Sequence, residues 1–366
     1  MTDRECCIAC NCISGIGYSI FTALTNEFGS PANIPGQSRC DYIRAKGVGI
    51  KLAEALENTD FELAAAKEIN RAAAANVKII TIYDSEYPES LKELSSPPIA
   101  LYVAGKLPAD LSRSIAIVGS RSISKYANEQ TRRIAADAAA NGFVVVSGMA
   151  AGADYCAHRA CLDAGGTTIG IIGAGLENIY PAAHRDMANE IIRSGGALIS
   201  ELPMQFPVTS TGFPRRNRII AGLARGVLVT EAGLKSGSMI TADFAQKYNR
   251  MLFALPGRVD NPNVAGCHHL IKNGAMLIEK FSDIAKKYDI SSITESYSIT
   301  GNSSVMPELS PECKILYDAI KQGTDSFDML VIKTGLPVAE VSAGLMFMEL
   351  DRIITREADS TYRLLT

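Results

Sequence analysis

Six apolar runs, each the length of a β-strand, recur at residues 114–119, 143–147, 167–172, 197–200, 226–230 and 251–255. Segments with helical spacing separate most of them, among them 126–141, 153–164, 181–194 and 238–249. A strand that is apolar throughout is buried on both faces. Strand–helix–strand repetition with right-handed crossovers then gives a parallel, doubly wound sheet. The expected fold class is α/β, and in such sheets ligands bind beyond the carboxyl ends of the strands.

The 366 residues are enough for two or three domains. Residues 1–75 read as a helical domain, 76–290 as the sheet domain, 291–309 as a Ser-rich linker and 310–366 as a small separate unit. In the first domain two glycine turns stand out, Gly15-Ile16-Gly17 and Gly47-Val48-Gly49, each followed by a helical pattern. Such a turn resembles the helix-hairpin-helix element of DNA-repair proteins, whose backbone N–H groups face a phosphate. It equally serves as a plain helix corner that needs glycine. In the last unit, helical patterns at 311–321, 327–334 and 338–350 precede two short strands at 353–356 and 361–365, the plan of a winged helix.

Charge separates these segments. Residues 1–75 carry seven Lys/Arg against nine Asp/Glu, and residues 310–366 carry six against nine. The middle carries 23 against 21 and holds a local cluster, Arg215, Arg216, Arg218 and Arg225, with no acid from Phe213 to Gly226. That cluster marks an anion site in a chain whose net charge is only −3. The third helix of the winged unit, residues 338–350, has no Lys or Arg. Duplex reading needs basic phosphate anchors, so a protein-contact or packing role fits this helix better.

Several classes fall away. No apolar run reaches the ~18–20 residues of a membrane-spanning helix, so no membrane partner is expected. The charged start leads into no apolar core of a secretory signal, so a cytoplasmic location with reduced thiols is expected for the nine cysteines. Cys7 and Cys10 form one C-x-x-C without a second pair at finger spacing, and Cys6 and Cys10 share a helix face, where they would simply pack. His268-His269 lack a metalloprotease context and read as structural. The run from Gly173 to Asn178 lacks the third glycine of a dinucleotide fingerprint, and no P-loop occurs. No cofactor and no metal are expected.

The strand ends carry small and polar residues: Gly119-Ser120-Arg121, Ser147-Gly148 through Gly152-Ala153-Asp154, Gly173-Ala174-Gly175 followed by Tyr180-Pro181, Ser200-Glu201, and Glu231 followed by Ser236-Gly237-Ser238. Glycines allow close approach of a ligand, and the helix starts behind them favour anions. The sharpest block is Phe213-Pro214-Arg215-Arg216-Asn217-Arg218. Arginine forks match phosphate oxygens, and Phe offers a stacking face for a base. If Asn217 opens a helix, Arg218 lies in its first turn, where an anion would offset its conflict with the helix dipole. Glu201 and Glu231 sit at strand ends, where catalytic acids can sit; orienting loops or arginines is the role expected of them.

Taken together, Gly119-Ser120-Arg121, the Ser-Gly-x-Ala-x-Gly-x-Asp run at 147–154, Phe-Pro-x-Arg-Asn-Arg-x-Ile-Ala-Gly-Leu at 213–223, Glu231-Ala232 with Ser236-Gly237-Ser238, and Pro256-Gly257 resemble the DNA-processing protein A (DprA, or Smf) family across roughly residues 75–290. The resemblance implies an extended Rossmann-like core with a helical N-terminal domain (helix-hairpin-helix or SAM-like) and a C-terminal winged helix. It implies a homodimer that binds single-stranded DNA without nucleotide hydrolysis and loads RecA during natural transformation. It places Gly119, Ser120, Arg121, Phe213, Arg216 and Asn217 in the DNA pocket. The reading of the loops adds Ser147, Gly148, Gly152, Gly173, Gly175, Arg215, Arg218, Ser236, Gly237 and Ser238. Two departures stand out: residues 207–212 lack the basic residue usual before Phe213, and Gly266-Cys267-His268-His269 replaces a Gly-x-Asn pattern.

The competing reading is a nucleotide-phosphate hydrolase on a related fold, with Glu231 as acid/base. Against it, Val227-Leu228-Val229-Thr230 leads into Glu231 as a buried strand rather than a glycine turn. A duplex-reading transcription factor is the third possibility, and the uncharged recognition helix argues against it.

Overall fold

The computed structural model describes residues 1–290, 310–350, 353–356 and 361–364. The expected linker at 291–309 lies outside these residues. The chain divides into two compact units, residues 1–296 and 297–366.

The first unit opens with α1 (Asp3–Cys12), α2 (Tyr18–Phe28), α3 (Arg39–Tyr42), α4 (Ile50–Glu57) and α5 (Phe61–Ala74). Thr2 and Glu5 close a reciprocal capping box on α1. Cys6, Cys7, Cys10, Phe21, Leu24, Tyr42 and Leu56 share one apolar core. Burial pushes the Cys7 thiol well up, and the neighbouring Cys6 thiol together with burial does the same to Cys10, the state of inert packing cysteines.

A nine-stranded sheet follows: β1 (Val77–Thr81), β2 (Ala100–Gly105), β3 (Ser114–Val118), β4 (Val144–Ser147), β5 (Thr168–Ile171), β6 (Ala197–Ser200), β7 (Gly226–Val229), β8 (Met251–Ala254) and β9 (Met276–Leu277). Its order is β1-β2-β6-β5-β4-β3-β7-β8-β9. The six runs read from sequence are β3 to β8, and they pair in parallel. The structure adds an antiparallel pair, β1 and β2, on the β6 side, and a short parallel strand, β9. The doubly wound core is mixed at that edge rather than parallel throughout. Every residue of β3 is buried, as a strand covered on both faces requires.

The connecting helices are α6 (Glu89–Lys92), α7 (Lys125–Ala140), α8 (Ala153–Asp163), α9 (Arg185–Arg193), α10 (Gly212–Leu223), α11 (Gly237–Lys247), α12 (Ala265–Lys272) and α13 (Phe281–Lys287). One sheet face packs on Ile219, Ile220, Leu223, Ala242 and Leu270; the other packs on Met187, Ala188 and Ile191 together with Ile8 and Ala72. His158, wholly buried, contacts the Thr168 hydroxyl at 2.7 Å, and burial pushes its pKa down to about 3. The sequence order of the strands reverses at β3, which lies between β4 and β7. A doubly wound sheet opens its ligand crevice at such a point.

Contacts join the helical segment to the sheet. Asn11 Nδ2 donates to the Glu201 carbonyl (3.0 Å), Met204 N donates to Glu68 Oε1 (2.7 Å), and Arg4 Nη2 donates to the Ile79 carbonyl (2.8 Å).

The second unit contains α14 (Pro311–Lys321), α15 (Phe327–Thr334) and α16 (Val338–Leu350), then the antiparallel pair β10 (Ile354–Arg356) and β11 (Tyr362–Leu364). Gly335 ends α15 in the left-handed conformation, and Pro337 follows before the next helix. Leu316, Leu330, Val341, Leu345 and Ile354 form its core. Among the described residues no single helix is long and apolar enough to cross a membrane.

Candidate nucleic-acid interface

A crevice of about 580 Å³ opens where the strand order reverses. The turn after β3 supplies Gly119, Ser120 and Arg121; α10 supplies Phe213, Arg216 and Asn217; the start of α11 supplies Ser236, Gly237 and Ser238. These three loops were expected to meet, and they do. A smaller recess of about 100 Å³ beside it adds Gly148, Tyr180 and Pro181 to Arg121, Phe213 and Arg216.

The aromatic and cationic groups are clustered, with the Tyr180 and Phe213 rings tilted by 50°. The exposed Arg121 guanidinium lies over the Phe213 ring, 5.3 Å from its centroid. Tyr180, 52% exposed, sits on Phe213 at 5.8 Å between centroids. Tyr180 belongs to the site although the block around Phe213 gives no hint of it. The signal available was the aromatic in the Tyr180-Pro181 loop at the end of a strand.

Arg216 forms the floor. It is buried, and its Nη1 donates to the carbonyls of Gly148 and Ile171, tying α10 to the ends of β4 and β5. Its Nη2 stands 3.7 Å from Asp154 Oδ2. Burial pulls the Arg216 pKa down to about 10, so it remains a cation at neutral pH. Burial pushes the Asp154 carboxyl up, opposed by the Arg216 guanidinium and by the N–H of Ala150. No side chain caps the start of α8, and Ser236 caps α11. Two helix N-termini therefore add positive potential beside the arginines.

Other expected residues build the walls. The Ser147 hydroxyl is buried and donates to the Ile117 carbonyl (2.6 Å). Gly152 has φ +79, and a side chain there would overlap the carbonyls of Ser120 and Arg121. Gly173 presses on the backbone of Gly212, and Gly175 on that of Pro203 and Met204. These four residues shape the crevice by close packing and do not line it. Gly148 makes room for the Arg216 guanidinium.

Two expectations need correction. Asn217 does not open a helix: α10 starts at Gly212, and Pro214 sits in its first turn, where no backbone donor is required. Asn217 lies in the second turn, donating from Nδ2 to the Gly237 carbonyl (3.1 Å) and accepting from Arg216 Nε (3.2 Å). It latches α10 to α11. The earlier start also sorts the arginines. At about 100° per residue, Phe213, Arg216, Asn217 and Ile220 share one face, and Arg215 and Arg218 fall on the opposite one. Accordingly Arg215 and Arg218 do not line the crevice. Both pair with the buried Glu201 carboxylate: Arg215 Nε lies 3.2 Å from Oε1, and Arg218 Nη2 bonds Oε2. Glu201 thus orients arginines. Glu231 is fully buried and accepts the Ser124 N–H (3.1 Å), so it orients the start of α7.

Comparison with known proteins identifies the family. The family described as DNA recombination-mediator protein A matches residues 78–289, and the DprA winged helix domain matches residues 304–360. Protein Smf of Escherichia coli is 37% identical over 270 residues, 73% of this chain and 72% of that protein. Protein Smf of Synechocystis is 30% identical over 96% of both chains. The structure is similar to DNA processing protein A from Streptococcus pneumoniae, with TM-score 0.68 and 31% identity over 80% of this chain and 99% of that one. It is also similar to DNA processing protein A from Helicobacter pylori, solved for its single-stranded DNA binding mode, with TM-score 0.51 and 32% identity over 57% of this chain and 95% of that one. This chain, matched over its sheet domain and its winged helix alike, belongs to the DprA/Smf family of DNA recombination mediators.

Proposed function

We propose that this recombination mediator binds single-stranded DNA in the switch-point crevice without reading its sequence and without catalysis. The observation that carries the proposal is the Tyr180–Phe213–Arg121 cluster above the cationic floor of Arg216. A base stacks on Phe213 or Tyr180, and stacking tolerates any base because every base has a π-face. The flanking phosphates meet Arg121 and the positive N-terminal ends of α8 and α11. The cluster is half-exposed, so a splayed base reaches it, and a base inside a duplex does not. The Helicobacter pylori relative's single-stranded DNA binding supports the same assignment.

The proposal extends to loading RecA onto the bound strand, with the protein acting as a homodimer in DNA uptake. The family's description as a recombination mediator supports that extension. The hydrolase alternative loses its acid/base, because Glu231 is wholly buried and held by the Ser124 amide.

Binding of fluorescent oligo-dT, beside a duplex of equal length and at two salt concentrations, tests the reading. The expected result is single-strand-selective binding whose log affinity falls with log salt at about −0.7 per phosphate neutralised. Equal duplex binding, or no dependence on Arg121, overturns it. Order-of-addition measurements of RecA filament growth and sedimentation of the protein test the loading and dimer parts.

A further inference from the structure

The face of α10 turned away from the crevice has its own recess. Arg215 and Arg218 line a cleft of about 410 Å³ with Gly15, Ile16, Gly17, Tyr18, Ser19, Ile20 and Ser96. The first of the two glycine turns is thereby brought against the arginine block. A Cβ on Gly17 would lie 3.9 Å from Arg215 Nη2, a measure of how near the turn and the guanidinium stand.

Three positive groups converge there. α2 runs for 11 residues from Gly17, and no side chain caps it, so the N–H groups of Tyr18, Ser19 and Ile20 face the cleft without helix partners. The helix dipole puts partial positive charge at that end. Two guanidiniums stand beside it with one carboxylate, Glu201, shared between them. Arg218 is only 8% exposed, yet its Nη1 has no hydrogen-bond partner. A buried guanidinium donor without an acceptor is costly, and an uncapped helix start next to surplus cations adds to the cost. An anion with several acceptor oxygens in the cleft would accept from the free N–H groups at the start of α2 and offset the surplus positive charge of Arg215 and Arg218.

We propose that this cleft binds a phosphate group, held by the amides at the start of α2 and by Arg215 and Arg218. The phosphate is either a phosphodiester of a bound strand or a free phosphate ion. The site goes beyond the crevice reading and does not depend on it. The second glycine turn supplies the contrast. Gly49 caps α4 with the same extended backbone and no side-chain bond, and nothing lies within 4 Å of the place its Cβ would take.

Gly17→Asp sets a carboxylate at the N-cap, where it takes the place of the anion. Gly17 has φ −121, which any residue adopts. Asp is a favoured cap, so the variant is expected to fold and to gain stability. Gly49→Asp adds the same cap and charge away from the cleft. Inorganic phosphate, compared with chloride at equal ionic strength, is expected to raise the melting temperature of wild type and Gly49→Asp by about 2 °C once several-fold above its Kd. Gly17→Asp should not respond. Arg215→Gln, at a half-exposed side chain, should respond less than wild type.

In oligo-dT binding, a strand phosphodiester at this site predicts a salt slope about 0.7 shallower for Gly17→Asp but not for Gly49→Asp. A free phosphate ion predicts unchanged slopes together with the lost thermal response. If Gly17→Asp matches Gly49→Asp in both measurements, the site is overturned. If wild type binds no oligo-dT, the crevice reading fails while the phosphate melts still decide this one.

Discussion

Two helices of this protein stand where a DNA contact would be sought, and they are built in opposite ways. α10, in the sheet domain, carries Arg215, Arg216 and Arg218 within twelve residues. Two of the three are buried, and their charge is balanced by acids from other elements, Asp154 and Glu201. α16, the third helix of the winged unit, has no basic residue and leaves Met346 and Phe347 64% and 63% exposed. Arg216 puts a buried charge of α10 at the crevice, whereas α16 exposes Met346 and Phe347 beside Glu340 and Glu349 and offers no cation. Position in a DNA-associated fold therefore does not fix the chemistry a helix offers. The decisive difference is whether cations and stacking groups converge on one recess.

The contrast breaks first at the charge balance of α10. Glu201→Ala leaves two arginines sharing no counterion, one of them buried. Removing one partner of a buried ion pair costs about 3–5 kcal/mol, and a loss of that order is expected in denaturant unfolding. Next comes the aromatic cluster. Phe213→Ala is expected to weaken oligo-dT binding by about 1–3 kcal/mol, roughly 5- to 150-fold, with thermal stability close to wild type. Arg121→Ala removes an exposed cation, so folding is unchanged and the salt slope becomes shallower by about 0.7, measured by titrating at several salt concentrations. The smallest effect belongs to the other helix. Met346→Ser with Phe347→Ser should leave oligo-dT affinity unchanged and shift stability by no more than about 0.5 kcal/mol per site. Weakened oligo-dT binding in that double variant would erase the distinction between the helices.

The six core strands were legible because each is apolar throughout, a pattern that burial on both faces imposes. β1 and β2 were not, because the residues between them include Tyr87-Pro88 and Ser95-Ser96-Pro97-Pro98, which interrupt any strand–helix alternation. The loops of the crevice were legible from their glycines and serines. The division of labour among the arginines was not, because it depends on where α10 begins. Pro214 looks like a boundary, yet it lies inside the first turn, and moving the start from Asn217 to Gly212 turns Arg215 and Arg218 to the far side. Tyr180 was missed for another reason. It reaches Phe213 across 33 positions of sequence, and the strand-end loop that holds it does not tell which ring it meets.

The fit between Gly148 and Arg216 has a consequence for how this family can change. The three heavy atoms nearest to a Cβ at 148 all belong to the Arg216 guanidinium. Gly148→Ala in the intact protein therefore drives that group off the Gly148 and Ile171 carbonyls. With Arg216 first shortened to Gln, the guanidinium that makes these three contacts is gone. The two substitutions are epistatic, and the cost of the methyl depends on which comes first. A lineage that loses the buried arginine is free to lose the glycine afterwards, and the reverse order is closed by collision.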